Sequence, residues 1–138
     1  MGWLPPGGRI ACPSLSTSIW VWEADARAWA EHYGVPFQEP KAFRTDPALM
    51  ALACLAAGRL DALVACCRLL HRMVFVDGMV IDDAAIASIP DTLGLDADRF
   101  LQSLADPATA ASHEALLDEA HGRGAFGVPT FFLGDRMF

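Results

Sequence analysis

The sequence predicts an α/β fold in which helix dominates and strand is scarce. Three observations carry that reading. Apolar residues recur at helical spacing through most of the chain from Trp20 to His121. Asp46, Asp82, Asp96 and Asp106 stand where helices should begin, and Asp46 and Asp106 are each followed directly by proline. One β-branched and aromatic run, Val128 to Leu133, comes near the end and closes on a Gly134-Asp135 turn signal.

Residues 1–18 hold Pro5-Pro6-Gly7-Gly8 and several Ser and Thr with no apolar period, so an irregular leader is expected there. Residues 19–138 then form one domain. Trp20, Trp22, Ala26, Trp29, Ala30 and Tyr33 fit a helix stopped by Gly34. Val35-Pro36-Phe37 leaves in extended form, because proline disfavours helix at the residue before it. Asp46-Pro47 opens a helix carrying Leu49, Leu52 and Leu55, which Gly58 breaks.

Leu60, Leu63, Val64, Cys67, Leu70, His71 and Val74 make one face of the clearest helix, ended by Asp77-Gly78. Asp82 caps a helix with Ile86, Ile89 and Leu93, which Pro90 must bend or shorten. Asp96 begins a short helix with Phe100, Leu101 and Leu104, and Asp106-Pro107 opens an alanine-rich one running to about His121. That makes about six helices before the first strand. A strand apolar on both faces belongs in a covered sheet. Its partners are expected from the leader, another chain, or residues outside this sequence.

Lys plus Arg is 10 and Asp plus Glu is 17, a net charge of -7. With no basic cluster longer than two residues, nucleic acid and anionic membrane surfaces are excluded as partners. The longest weakly polar run, Ala48 to Gly58, is 11 residues, against the roughly 20 that a membrane-spanning helix needs. No basic segment leads into an apolar stretch at the start, so no signal peptide is read and a cytoplasmic protein is expected. Of the four cysteines, Cys66 and Cys67 are adjacent within a helical pattern and cannot bond each other without strain. Reduced, packed thiols are expected. Cys67 and His71, with Cys54, lack the turn-borne spacing of a structural zinc site and read as core. His32, His113 and His121 fall on polar helix faces with no nucleophile beside them.

Pro129 cannot donate to a strand ladder, so it contradicts a central strand unless it begins one. Local physics leaves two readings open. A trans-proline merely starts the strand; a cis-proline leaves its neighbour's backbone free to pair with an extended peptide ligand.

The residues around it bear a resemblance. Gly124-Ala125-Phe126-Gly127-Val128-Pro129-Thr130-Phe131-Phe132, followed by Leu133-Gly134-Asp135, resembles the cis-proline segment of thioredoxin-like proteins. More narrowly, it resembles the DsbA-like family of 2-hydroxychromene-2-carboxylate isomerases and kappa-class glutathione transferases. Asp25 to Phe37, with its Gly-x-Pro-Phe turn, and Arg72 to Ile81, with its Val-Asp-Gly run, are similar to the same family. The resemblance covers about residues 20–138. It implies a thioredoxin-like (DsbA-like) fold with a large helical insertion at about 38–123 and the cis-proline segment at 124–138.

It also implies glutathione as cofactor, held through the backbone of Val128 and Pro129, with Phe75 as a wall of the substrate pocket. The implied substrate is a small aromatic or chromene carboxylate, and the implied reaction is thiolate addition, bond rotation and elimination. The family carries a Ser or Cys after its first strand to stabilise that thiolate, and residues 1–18 offer no match. Cys12-Pro13-Ser14 lacks an apolar strand before it and a helix start after it, so no catalytic residue is assigned. The family also continues past the turn at Gly134-Asp135, so an incomplete fold is expected, a fragment lacking both the N-terminal catalytic strand and the C-terminal end. Phe75 stands where a Trp is common in the family, and Asp46-Pro47 where an Asn-containing segment is usual.

Two rivals stay in view. A thiol-disulfide oxidoreductase would need a Cys at a helix start, which Cys66-Cys67 is not. A non-catalytic helical module would use the Val128–Leu133 strand and Trp20, Trp22 and Trp29 as a docking or homodimer surface.

Overall fold

In a computed structural model of the chain, the described residues are 15–38, 46–127 and 129–138, with side chains described from residue 24 onward. Helix prevails. In chain order the elements are α1 (Leu15–Tyr33), α2 (Pro47–Gly58), α3 (Leu63–Phe75), α4 (Asp83–Ala87), α5 (Ile89–Leu93), α6 (Ala97–Ala105), α7 (Pro107–Gly122), β1 (Phe132–Leu133) and β2 (Arg136–Met137).

The aspartates do what their positions predict. The carboxylates of Asp46 and Asp106 accept from the second backbone N–H beyond them, at Ala48 and Ala108, and those of Asp82 and Asp96 from the third, at Ala85 and Arg99, all at 2.9 Å. Each satisfies one of the N–H groups that a helix start leaves without a partner. Pro47 and Pro107 occupy the first helical position, where a missing N–H costs nothing.

The segment expected as one helix after Asp82 is two. Pro90 cannot continue the ladder of α4, so Ser88 ends α4 and precedes α5, its hydroxyl donating to the Ala85 carbonyl at 2.7 Å. Gly94 then closes α5 in the left-handed region, at φ 68°. That division makes the described helices seven rather than about six.

At the start of the chain, α1 begins at Leu15, so the last four residues of the expected irregular leader are helical. Residues 1–14, with Cys12, lie outside the described residues. Trp20 and Trp22 fall within α1, and their side chains are outside the description.

The core is built on α2, against which α3, α6 and α7 all pack. Ala53, Ala56 and Ala57 present no side chain beyond a methyl and are fully buried, which lets three helices approach one. Leu70, Met73 and Val74 of α3, Ile81, Ile86, Ile89, and Phe100 of α6 complete it. Thr109 is buried at the α7 start and donates its hydroxyl to the Ser103 carbonyl at 2.6 Å. Its polar atom therefore carries no unmet desolvation cost.

The buried face of α3 differs from expectation by about one position. Cys66, Leu70, Met73 and Val74 are buried, whereas Leu63, Val64 and His71 are exposed and Cys67 is half-buried. The run Leu63-Val64-Ala65-Cys66-Cys67 is apolar all round a helical turn, so period alone could not set its phase. The position of α2 sets it.

The strand differs more. Of the described residues in the expected run Val128–Leu133, Phe132 and Leu133 form the two-residue β1, and Phe131 and Leu133 are exposed rather than covered. Among the described residues the partner of β1 is the chain's own β2, antiparallel, with Phe132 opposite Met137 and Leu133 opposite Arg136. A second rung, Phe131 N–H to Phe138 O and Phe138 N–H to Phe131 O, both 2.9 Å, extends the hairpin beyond the two strands. Gly134 at φ 58°, with Asp135 on the ordinary side of φ, matches the sign pattern of a type II′ turn.

Candidate functional site

The site is built where α7 hands over to the hairpin. Gly122 ends the helix, and the N–H groups of Arg123, Gly124 and Ala125 return to the carbonyls of Glu119, His121 and Ala120, each at 2.9 Å. This fixes the direction in which residues 126–130 leave. Arg123 then ties the hairpin back. Its guanidinium lies 3.7 Å over the Phe132 ring, Nη2 donates to the Gly134 carbonyl at 2.8 Å, and Nη1 meets Glu119 Oε1 at 3.1 Å.

Between the helix end and the hairpin lies a cavity of about 270 Å³, lined by Phe126, Gly127, Pro129, Thr130, Met137 and Phe138. Its walls are mostly apolar. Phe126 is 92% exposed and Phe138 68%, so two aromatic rings stand in water at its rim. The Thr130 hydroxyl donates to the Gly127 carbonyl across three residues at 2.5 Å. That bond spans the position of Val128, which itself lies outside the described residues. No ionisable side chain is among the six lining residues.

Phe75 is elsewhere. It closes α3, half-buried, and stacks on Phe37 with ring centroids 6.3 Å apart and planes 14° apart. His71 lies 6.1 Å from it, and the Phe75 carbonyl accepts from the Gln38 N–H at 2.6 Å. The extended segment after α1 is thus fastened alongside the end of α3. Phe75 is not among the described residues that line the cavity at Pro129.

Sequence reasoning passed over Arg123, Phe126 and Thr130. Arg123 had a signal: a cation between Gly122 and Gly124, at the point where the helix should end. Thr130 and Phe126 stood inside the quoted motif without an assigned part.

A helix-dominated chain ending in a proline segment and a hairpin invites comparison with known proteins. The family model of the DSBA-like thioredoxin domain matches residues 11–138. The chain belongs to that family. This DSBA-like domain is 28% identical over 134 residues to a 2-hydroxychromene-2-carboxylate isomerase of Sphingobium xenophagum, covering 96% of the chain and 66% of that enzyme. It is 27% identical over 117 residues to the enzyme of that name from Pseudomonas putida, covering 84% of the chain and 57% of the enzyme. Among solved structures, a 2-hydroxychromene-2-carboxylate isomerase superposes with a TM-score of 0.77 at 26% identity, covering 93% of this chain and 64% of that one. The DSBA-like domain therefore spans about two thirds or less of the relatives it matches.

The isomerase branch expected from the three motifs is the one to which the relatives belong. Among the described residues, no helix is long and apolar enough to cross a membrane.

Proposed function

We propose that this domain serves glutathione-dependent isomerisation of 2-hydroxychromene-2-carboxylate or a similar aromatic carboxylate, in a cytoplasmic setting. The observation that carries the reading is the cavity on Pro129, found in a chain whose relatives are isomerases of that name over most of its length. The residues fit the cysteinyl unit of glutathione. Proline has no N–H to commit to a ladder, and the cavity beside it is mostly apolar and partly open to solvent. The charged ends of the tripeptide find no counterpart among the six lining residues, so the fit is to its centre.

Glutathione, when bound, supplies the thiolate nucleophile. The chain's own part is to hold and to exclude. The backbone of Val128 and Pro129 would grip the cysteinyl unit in extended form. Phe126 and Phe138 would shield the sulfur from water and offer flat apolar faces to an aromatic substrate. The Thr130–Gly127 hydrogen bond holds the loop that follows Phe126, and the Phe131–Phe138 backbone pair holds Phe138. Phe75, stacked on Phe37 and not among the residues lining the Pro129 cavity, would act as an outer aromatic wall for substrate.

Calorimetric titration with reduced glutathione tests this, beside Pro129→Ala and an absorbance assay on 2-hydroxychromene-2-carboxylate. Saturable binding, weakened about tenfold or more in the variant, is expected, a difference of about 1.4 kcal/mol. No heat at millimolar ligand from folded protein would overturn the reading.

A further inference from the structure

Three cysteines from two helices meet at the α2–α3 contact, outside the cavity described above. Cys54 is on α2, and Cys66 and Cys67 are on α3. The Cys67 thiol donates to Cys54 Sγ at 3.3 Å. Cys66, one residue earlier, is fully buried, whereas Cys54 and Cys67 are half-buried and so within reach of small solutes. Thiol protons are shared around the cluster. The hydrogen bond with Cys66 and then burial push the Cys54 thiol far up, burial with the hydrogen bond to Cys54 pushes Cys67 up to about 11, and the same hydrogen bond with Cys54 lowers Cys66, so Cys54 and Cys67 react only through a small thiolate fraction that grows with pH. Among the described residues, no group of His, Cys, Asp or Glu is arranged to hold a metal ion.

We propose that Cys54 and Cys67 form an oxidisable dithiol, closed to an intramolecular disulfide by hydroperoxides, which staples α2 to α3. Two facts of geometry carry this. The sulfurs are already inside van der Waals contact, and closing 3.3 Å to a bond of about 2.05 Å requires a shift of little more than an ångström. The two cysteines also sit on different helices, so their bridge avoids the strain that bars Cys66 from Cys67.

The step balances. Hydrogen peroxide transfers an oxygen to the small thiolate fraction of one cysteine, giving a sulfenic acid and hydroxide, and the hydroxide takes up the proton that the thiol released to leave as water. The second thiolate attacks that sulfur, forming the S–S bond and expelling hydroxide, which takes up a proton to leave as a second water. The protein loses two protons and two electrons; one peroxide becomes two waters.

The test is peroxide treatment of the reduced, folded chain at low protein concentration, followed by tryptic mass mapping without reduction. Cleavage after Arg44, Arg59 and Arg68 places Cys54 in one peptide and Cys66 with Cys67 in the next. A linked pair of these peptides is expected, with the parent two hydrogen masses lighter and the change reversed by dithiothreitol. Cys66→Ser should keep the bridge, and Cys67→Ser should abolish it while remaining folded by circular dichroism. Fragmentation of the wild-type pair between Cys66 and Cys67 assigns the partner without any variant. A bridge mapped to Cys66, sulfinic acid in place of a bridge, or intermolecular dimers would each overturn the proposal.

Discussion

At the scale of single residues, the helix-start aspartates and Arg123 show how one side chain can settle a junction. Asp106 accepts from the Ala108 N–H and pairs with Arg59 Nη1 at 2.5 Å, and these two contacts, the backbone bond first, hold its carboxyl below the usual carboxylate value of 3.8. A depressed pKa means that the folded state favours the charged form. Its contribution is therefore present above the unfolded value and lost as pH falls through the lower folded one. Asp106→Asn should lower the melting temperature at neutral pH, and the gap from wild type should narrow as melts are taken down towards about pH 3. An unchanged gap across that range would refute the assignment. Arg123 makes a different prediction. Exposed as it is, Arg123→Ala should cost global stability about 1 kcal/mol or less. Hydrogen exchange at the Phe131 and Phe138 amides should nevertheless quicken, because the side chain that ties the hairpin to α7 is gone.

At the scale of elements, α2 explains why the helical body tolerates little change. Its inward face is alanine because α3, α6 and α7 all lean on it, and a larger side chain there has nowhere to go. Ala56→Leu should destabilise the domain by about 1–3 kcal/mol through overpacking, read as a fall in the urea midpoint at unchanged slope. Phe100→Ala, from the facing α6, should cost more, about 3–5 kcal/mol, because it opens a cavity. These elements also mark what could be read in advance. Every aspartate cap was legible, since a cap depends on the two or three residues after it. The buried face of α3 was not, because five consecutive apolar residues carry no phase and the choice rests with α2. Pro90 was legible as a disruption but not as a clean division into two helices, which required Ser88 to end one and lead into the next.

At the scale of the whole molecule, the family was more legible than the geometry of its site. The motif around Pro129 named a branch that the relatives share, because a proline between valine and threonine restricts the backbone on both sides of it. The same residues misled about the strand. Val128 to Leu133 has the composition of a buried strand, but such composition describes fitness for a covered surface and does not supply the cover. In this chain the run folds back on Arg136–Met137 and leaves Phe126, Phe131, Leu133 and Phe138 exposed. A body packed around α2 and a hairpin anchored through the end of α7 should open separately. Native-state hydrogen exchange is then expected to show two tiers, with α2 and α3 amides exchanging near the global unfolding free energy and the hairpin amides well before them. Phe100→Ala should collapse the first tier and leave the second where it was, since no hairpin residue belongs to the core cluster. If both tiers moved together, the hairpin would be part of the same cooperative unit, and the Pro129 cavity would owe its shape to the helical core rather than to Arg123.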